Sequence, residues 1–270
     1  MTHRFRVVPL FVFAVILAAA PAFAVDGVIL IDQNRALAGG VTPGDSPGFP
    51  VVITTSGSFR LSGNLVVSDV NTTAISITTG ASAVTIDLNG FSIVGPVTCS
   101  ISPTVCDSAA DNPGDAFGPG VGIRSQARDA LTVRNGTIVG MGRYALFQAG
   151  GPQVIIESVH AKENGLGGLW PSAGVIINSI VATNGGIGIT TNAGVIKNTV
   201  VNRNAGDGIA STGQPVNVQD CQIYLNGGFG IDFAVGGLIG SNLIHGNLGG
   251  AIDGSPVVGS PNYCAGSGCP

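Results

Sequence analysis

Five asparagines, Asn164, Asn184, Asn204, Asn226 and Asn247, recur at separations of 20, 20, 22 and 21 residues, and no other feature of the chain restricts its fold so strongly. Each is followed within a few residues by glycine and then by a small–apolar pair. Those pairs make a second column: Gly122-Ile123, Ala145-Leu146, Gly168-Leu169, Gly188-Ile189, Gly208-Ile209, Gly230-Ile231 and Ala251-Ile252. Short β-branched runs make a third: Val84-Thr85-Ile86, Leu131-Thr132-Val133, Val154-Ile155-Ile156, Val175-Ile176-Ile177 and Val195-Ile196. Each unit therefore holds two or three short strands separated by turns too small for a helix. Such a unit returns to lie beside its predecessor, each strand pairing in parallel with its equivalent one coil away. The expectation is an all-β, single-stranded β-solenoid of about nine coils of roughly 20–23 residues, a rod about 40 Å long at ~4.8 Å per coil. Leucine-rich repeats share the period, but their consensus is absent.

The asparagine column has a physical reason. Asn tolerates left-handed backbone better than other residues with a Cβ, and its amide can hydrogen-bond to the next Asn in a stack. These residues are therefore expected to be structural.

Two segments carry a more specific likeness: Val51-Val52-Ile53-Thr54-Thr55-Ser56-Gly57-Ser58-Phe59-Arg60-Leu61 and Val84-Thr85-Ile86-Asp87-Leu88-Asn89-Gly90-Phe91-Ser92-Ile93. They resemble the opening coils of bacterial secreted right-handed parallel β-helix repeat proteins, similar in fold to the pectate lyase-like superfamily. The resemblance spans about residues 50–250 and implies right-handedness. It implies little about activity, because that superfamily hosts lyases, hydrolases, esterases, epimerases and non-enzymatic binding proteins.

The ends are read by composition. Residues 1–24 carry Arg4 and Arg6, an apolar run from Val7 to Ala20 interrupted by Pro9, and a small-residue cleavage pattern at Ala22-Phe23-Ala24. That is a signal peptide rather than a membrane span, so the expected location is secreted or periplasmic, after cleavage near Ala24. The remainder, 25–270, reads as one β-helix domain, with 25–50 as N-terminal cap, 51–252 as coils and 253–270 as C-terminal cap, because open solenoid ends expose unpaired strand edges. A Pro/Gly/Asp-rich insertion at 96–120 leaves the rod as a loop. Without the leader, nine basic residues face fifteen acidic ones, a formal charge of −6, which excludes nucleic acid as a partner. In an oxidising compartment Cys99 and Cys106 are expected to pair, as are Cys264 and Cys269, leaving Cys221 free and buried.

Catalytic signatures of the superfamily are missing: no Asn-Thr-Asp, Asp-Asp or Gly-His-Gly set, no Asp-Pro-His, and no Arg-x-Pro-x-x-Arg. Asp107, Asp111 and Asp115 crowd the insertion, but their spacing matches no calcium loop, so calcium is unsupported and no cofactor is expected. With the small–apolar pairs in register, the following residues form a row: Arg124, Phe147, Trp170, Thr190, Ala210, Asp232 and Asp253. Strand alternation turns this row outward, making Arg124, Phe147 and Trp170 an aromatic stripe with a cation, suited to stacking on sugars and pairing a uronate. The competing reading packs Phe147 and Trp170 beneath the insertion. His160 falls level with Ile180, Val200, Gln222 and Leu243, and with Lys162 nearby is the best isolated acid/base candidate. Asp87 and Arg134 read as a surface ion pair on neighbouring coils. The expected function is polysaccharide interaction at the cell exterior. The alternatives are a polysaccharide lyase or epimerase drawing on His160, Lys162, Arg124 or Asp232, and a structural or adhesive surface protein; the sequence leaves oligomeric state open.

Overall fold

The computed structural model describes residues 27–102, 104–107, 119–126, 130–148, 150–151 and 153–265. The leader at 1–24, most of the insertion with Asp111 and Asp115, and Cys269 lie outside these residues.

Every regular coil places one strand in a nine-stranded parallel sheet and two in a seventeen-stranded sheet folded over a corner. The nine strands, from Val51–Ile53 to Gly250–Asp253, number the coils. Their register follows the small–apolar column: Ile123, Leu146, Leu169, Ile189, Ile209, Ile231 and Ile252 are successive partners. All seven are buried, as are the facing columns Ile156, Ile176, Ile196, Val218, Ile239 and Ala161, Val181, Val201, Ile223, Ile244. A three-walled tube of β-branched and leucine side chains is thus the core, and strand alternation sends every second residue outward.

The asparagine ladder is continuous, but its backbone differs from expectation. Asn164 Nδ2 donates to Asn184 Oδ1 at 2.8 Å, and the bond repeats from Asn184 to Asn204 at 2.8 Å, Asn204 to Asn226 at 3.0 Å and Asn226 to Asn247 at 2.9 Å. The left-handed residue is the one before each Asn, namely Glu163, Thr183, Arg203, Leu225 and Gly246, with φ between 50° and 64°. The asparagines are selected by their amides alone. They share the small column with the neighbouring backbone: a Cβ on Gly188 would lie 2.6 Å from both Asn204 Nδ2 and the Gly208 carbonyl oxygen, and one on Gly208 would lie 2.6 Å from the Gly230 carbonyl oxygen and 2.8 Å from Asn226 Nδ2.

One alignment in the third column is a residue out. Val154-Ile155-Ile156 pairs with Gly174-Val175-Ile176, and then with Gly194-Val195-Ile196. Gly174 has φ 153° and a Cβ there would collide with the Val154 carbonyl, so glycine replaces valine where the coils pinch together. The corner within the larger sheet is also left-handed, at Asn135, Ser158, Asn178, Asn198, Asp220 and Ser241.

Stacking runs past 51–252 at both ends. Val28–Ile31 already pairs with Gly57–Leu61, followed by the short helix Gln33–Ala38, whose N-cap Asp32 accepts from the Arg35 amide at 2.9 Å. Beyond the last coil, Val257–Val258 and Tyr263–Ala265 add further parallel strands. Cys99 and Cys106 form a disulfide, and Cys221 is free and buried. Cys264 is disulfide-bonded as well.

Candidate functional site

The outward row of the nine-stranded sheet assembles as its spacing requires: Phe147 lies opposite Arg124 on one side and Trp170 on the other. Their exposures differ. Arg124 and Trp170 are half-buried, whereas Phe147 is only 2% exposed. Phe147 therefore cannot offer a ring face to a sugar. It meets Trp170 edge to face, with centroids 5.2 Å apart at 81°, and Tyr144 grips the same indole at 5.2 Å and 81°. Two T-shaped contacts hold Trp170 in one orientation while part of it faces solvent. Burial raises the Tyr144 phenol pKa, with the nearby Arg143 charge acting against it.

Arg124 lines a pocket of about 250 Å³ with Phe49, Asn71, Thr72, Ser76 and Pro119. Ser76 belongs to the preceding strand and is the direct partner of Arg124, while Phe49 arrives from the N-terminal cap. Among the described residues Arg124 has no ion-pair partner, and no carboxylate lines its pocket. A guanidinium amid hydroxyls, an amide and an aromatic ring can pair a carboxylate, hydrogen-bond sugar hydroxyls and cover a C–H face. Ser76, Asn71 and Phe49 were missed in the sequence. Ser76 was readable by extending the outward row one coil back; Phe49 lies outside the repeat and has no periodic signal.

The other candidates do not join this pocket. Asp232 occupies the same row five strands further on, beyond Thr190 and Ala210, an axial offset of roughly 24 Å. Burial raises its carboxyl pKa, assisted by repulsion from Asp207 and Asp253. His160 pairs with Ile180 on the larger sheet, in the expected row with Val200, Gln222 and Leu243. Burial lowers its pKa, Lys162 lowers it further and Glu163 opposes both. Lys162 Nζ is 3.5 Å from Glu163 Oε1. Arg124, Asp232, His160 and Lys162 are thus spread over two sheets and do not form one catalytic centre.

Asp87 and Arg134 form an ion pair, with Arg134 Nη2 3.2 Å from Asp87 Oδ2. The carboxylate also accepts from the Asn89 amide at 2.9 Å, a corner-fixing role. Asp107 is likewise engaged, accepting from the Thr98 amide at 2.9 Å and the Thr98 hydroxyl at 2.7 Å. Among the described residues no group of three or more His, Cys, Asp or Glu side chains could hold a metal ion.

The sequence profile of the family described as "Right handed beta helix region" matches residues 119–256. No curated protein matches the chain. Solved structures that resemble it include two epimerases. The periplasmic alginate epimerase AlgG is 10% identical, with 77% of each chain covered and a TM-score of 0.39. The A-module of the mannuronan C-5 epimerase AlgE6 from Azotobacter vinelandii is 13% identical, with 74% of this chain and 61% of that one covered and a TM-score of 0.36. No helix among the described residues is long and apolar enough to cross a membrane.

Proposed function

Since the chain belongs to the right-handed β-helix family, we propose that it is an exported polysaccharide-binding protein that holds an acidic glycan along the outer face of its nine-stranded sheet. The observation that carries this reading is the half-buried Arg124, without an ion-pair partner among the described residues, in a pocket with Phe49 and Ser76 and in one row with the half-exposed Trp170. In this reading Arg124 pairs a sugar carboxylate, Ser76 and Asn71 bond hydroxyls, and Trp170, set by buried Phe147, stacks on a neighbouring ring. Two residues one coil apart on either side of Phe147 are separated by roughly 10 Å, about two sugar units. The leader at 1–24 directs export, and the domain at 25–270 is the mature protein. The Cys99–Cys106 disulfide and the disulfide-bonded Cys264 suit an oxidising compartment.

Binding is favoured over turnover because proton transfer needs an acid or base within hydrogen-bond reach of the reacting sugar, and His160, Lys162 and Asp232 lie away from Arg124. The test is calorimetry of the mature protein with polygalacturonate and alginate. Arg124→Ala and Trp170→Ala should each weaken binding at least tenfold, Arg124→Ala without loss of melting temperature. If both variants bind as the parent does, the sheet face is not the site. Accumulation of unsaturated sugar in the same cell would instead favour a lyase.

A further inference from the structure

A second cationic groove lies away from Arg124, where the disulfide-closed hairpin arches over the asparagine corner. The hairpin is closed by one covalent bond and two backbone hydrogen bonds. Cys99 and Cys106 are bridged, the Ser100 amide donates to the Val105 carbonyl at 2.8 Å, and the Asp107 amide donates to the Thr98 carbonyl at 2.9 Å. It is also docked: the Thr104 hydroxyl donates to the Arg203 carbonyl at 2.7 Å, and Cys106 Sγ lies 3.7 Å from the Asn164 carbonyl. Between hairpin and coils is a groove of about 490 Å³, with Ile101, Ser102 and Thr104 on one wall and Arg203, Leu225 and Leu248 on the other.

Three features of this groove call for an occupant. Leu248 is 84% exposed, Ile101 62% and Leu225 45%, so its apolar walls are open to water. Arg203 occupies the left-handed corner position, where Glu163 on an earlier coil engages Lys162, yet Arg203 has no ion-pair partner among the described residues. Among the described residues no carboxylate lines the groove, and Asp107 on the hairpin is committed to Thr98. A cross-linked wall, a guanidinium with no ion-pair partner among the described residues and flanking apolar side chains favour an anion with a C–H face.

We propose that this groove is a separate subsite for a carboxylate-bearing sugar residue, its carboxylate paired by Arg203 and its C–H face laid on Leu225 and Leu248. The assignment rests on the acidic-glycan reading above. Arg203 lies about four coils from Arg124, roughly 19 Å along the rod, so a polyanionic chain would meet two cations on different faces.

Leucine-methyl and indole NMR of the mature protein separates the two sites. Trigalacturonate should shift the Leu225 and Leu248 methyls, with the shifts weakened at least tenfold in apparent Kd by Arg203→Ala and partly kept by Arg203→Lys; Leu248→Ala, at an exposed position, should weaken them without unfolding. Its carboxyl-reduced counterpart should leave the methyls unmoved. A Trp170 indole response without any methyl response overturns the groove and leaves the proposed function standing. Silence at both sites overturns both. Equal shifts from the carboxyl-reduced sugar refute the role of Arg203, and equal shifts from acetate at the same concentration refute a sugar subsite.

Discussion

Asn204→Ala should destabilise the rod far more than the loss of one polar side chain suggests. Asn204 Oδ1 accepts from the Asn184 amide at 3.1 Å and from Asn184 Nδ2 at 2.8 Å; its own Nδ2 donates to the Val181 carbonyl at 3.2 Å and to Asn226 Oδ1 at 3.0 Å. Two groups keep other partners after truncation. Asn184 Nδ2 still reaches the Ala161 carbonyl, and Asn226 Oδ1 still accepts from the residue 204 amide. The buried Asn184 N–H, however, loses its acceptor, and the Val181 carbonyl loses its side-chain donor. At about 1–3 kcal/mol for each buried group so affected, plus a small cavity, the expected cost is about 3–5 kcal/mol. Urea unfolding followed by far-UV circular dichroism should show a lower midpoint. Because solenoid coils can uncouple, the fluorescence of Trp170 should be followed in parallel to show whether the neighbouring coils melt together. Gly188→Ala should be costly in the parent, where the new methyl meets Asn204 Nδ2, the Gly208 carbonyl and Val201, and should stay costly in the Asn204→Ala background because the backbone contact remains. A loss below about 1 kcal/mol on Asn204→Ala would refute the ladder as the structural spine.

Other consequences follow from single sites. Burial pushes the Cys221 thiol up to about 11 from 9.0, so the native protein should resist thiol reagents at pH 8; its contribution to stability is full below pH 9 and lost as pH rises towards 11. Ser179 and Thr199 hold the equivalent position and, like Cys221, donate to the carbonyl two residues back, so Cys221→Ser should cost no more than about 1 kcal/mol in chemical denaturation. The raised Asp232 pKa means that ionising it opposes folding, so Asp232→Asn should raise the melting temperature at pH 7, with the gain vanishing below pH 3.8; an unchanged melting temperature at pH 7 would contradict the penalty from burial and from the repulsion of Asp207 and Asp253. His160 should titrate below 6.5 by NMR, and because its neutral form is favoured, its contribution to stability is present above that pH and falls as the solution is acidified.

The architecture was legible because the solenoid repeats its physical requirements. Ile123 to Ile252 could be aligned by phase alone, and the Asn column marked the corner, since each coil presents the same environment to the same residue type. The left-handed residue was misplaced by one because Glu163, Thr183, Arg203, Leu225 and Gly246 share no side-chain chemistry; a backbone requirement met by five residue types leaves no column to read. The Val154 to Gly174 register was hidden for a related reason, as glycine there answers a close backbone approach rather than an apolar pattern. The outward row was legible in position but not in exposure. Spacing put Phe147 between Arg124 and Trp170, whereas its burial follows from ring packing that spacing does not encode, and Phe49 reaches the pocket from outside the repeat.

The central claim is that the mature protein holds acidic polysaccharide without converting it. A glycan panel pairing each polyuronate with its carboxyl-reduced form, read for retention, unsaturated product and uronate epimer ratio, tests it most directly. Expected are retention of the polyuronates, loss of retention on carboxyl reduction, no unsaturated product and an unchanged uronate epimer ratio by NMR. Indifference to carboxyl reduction, appearance of unsaturated product or a changed epimer ratio would contradict it.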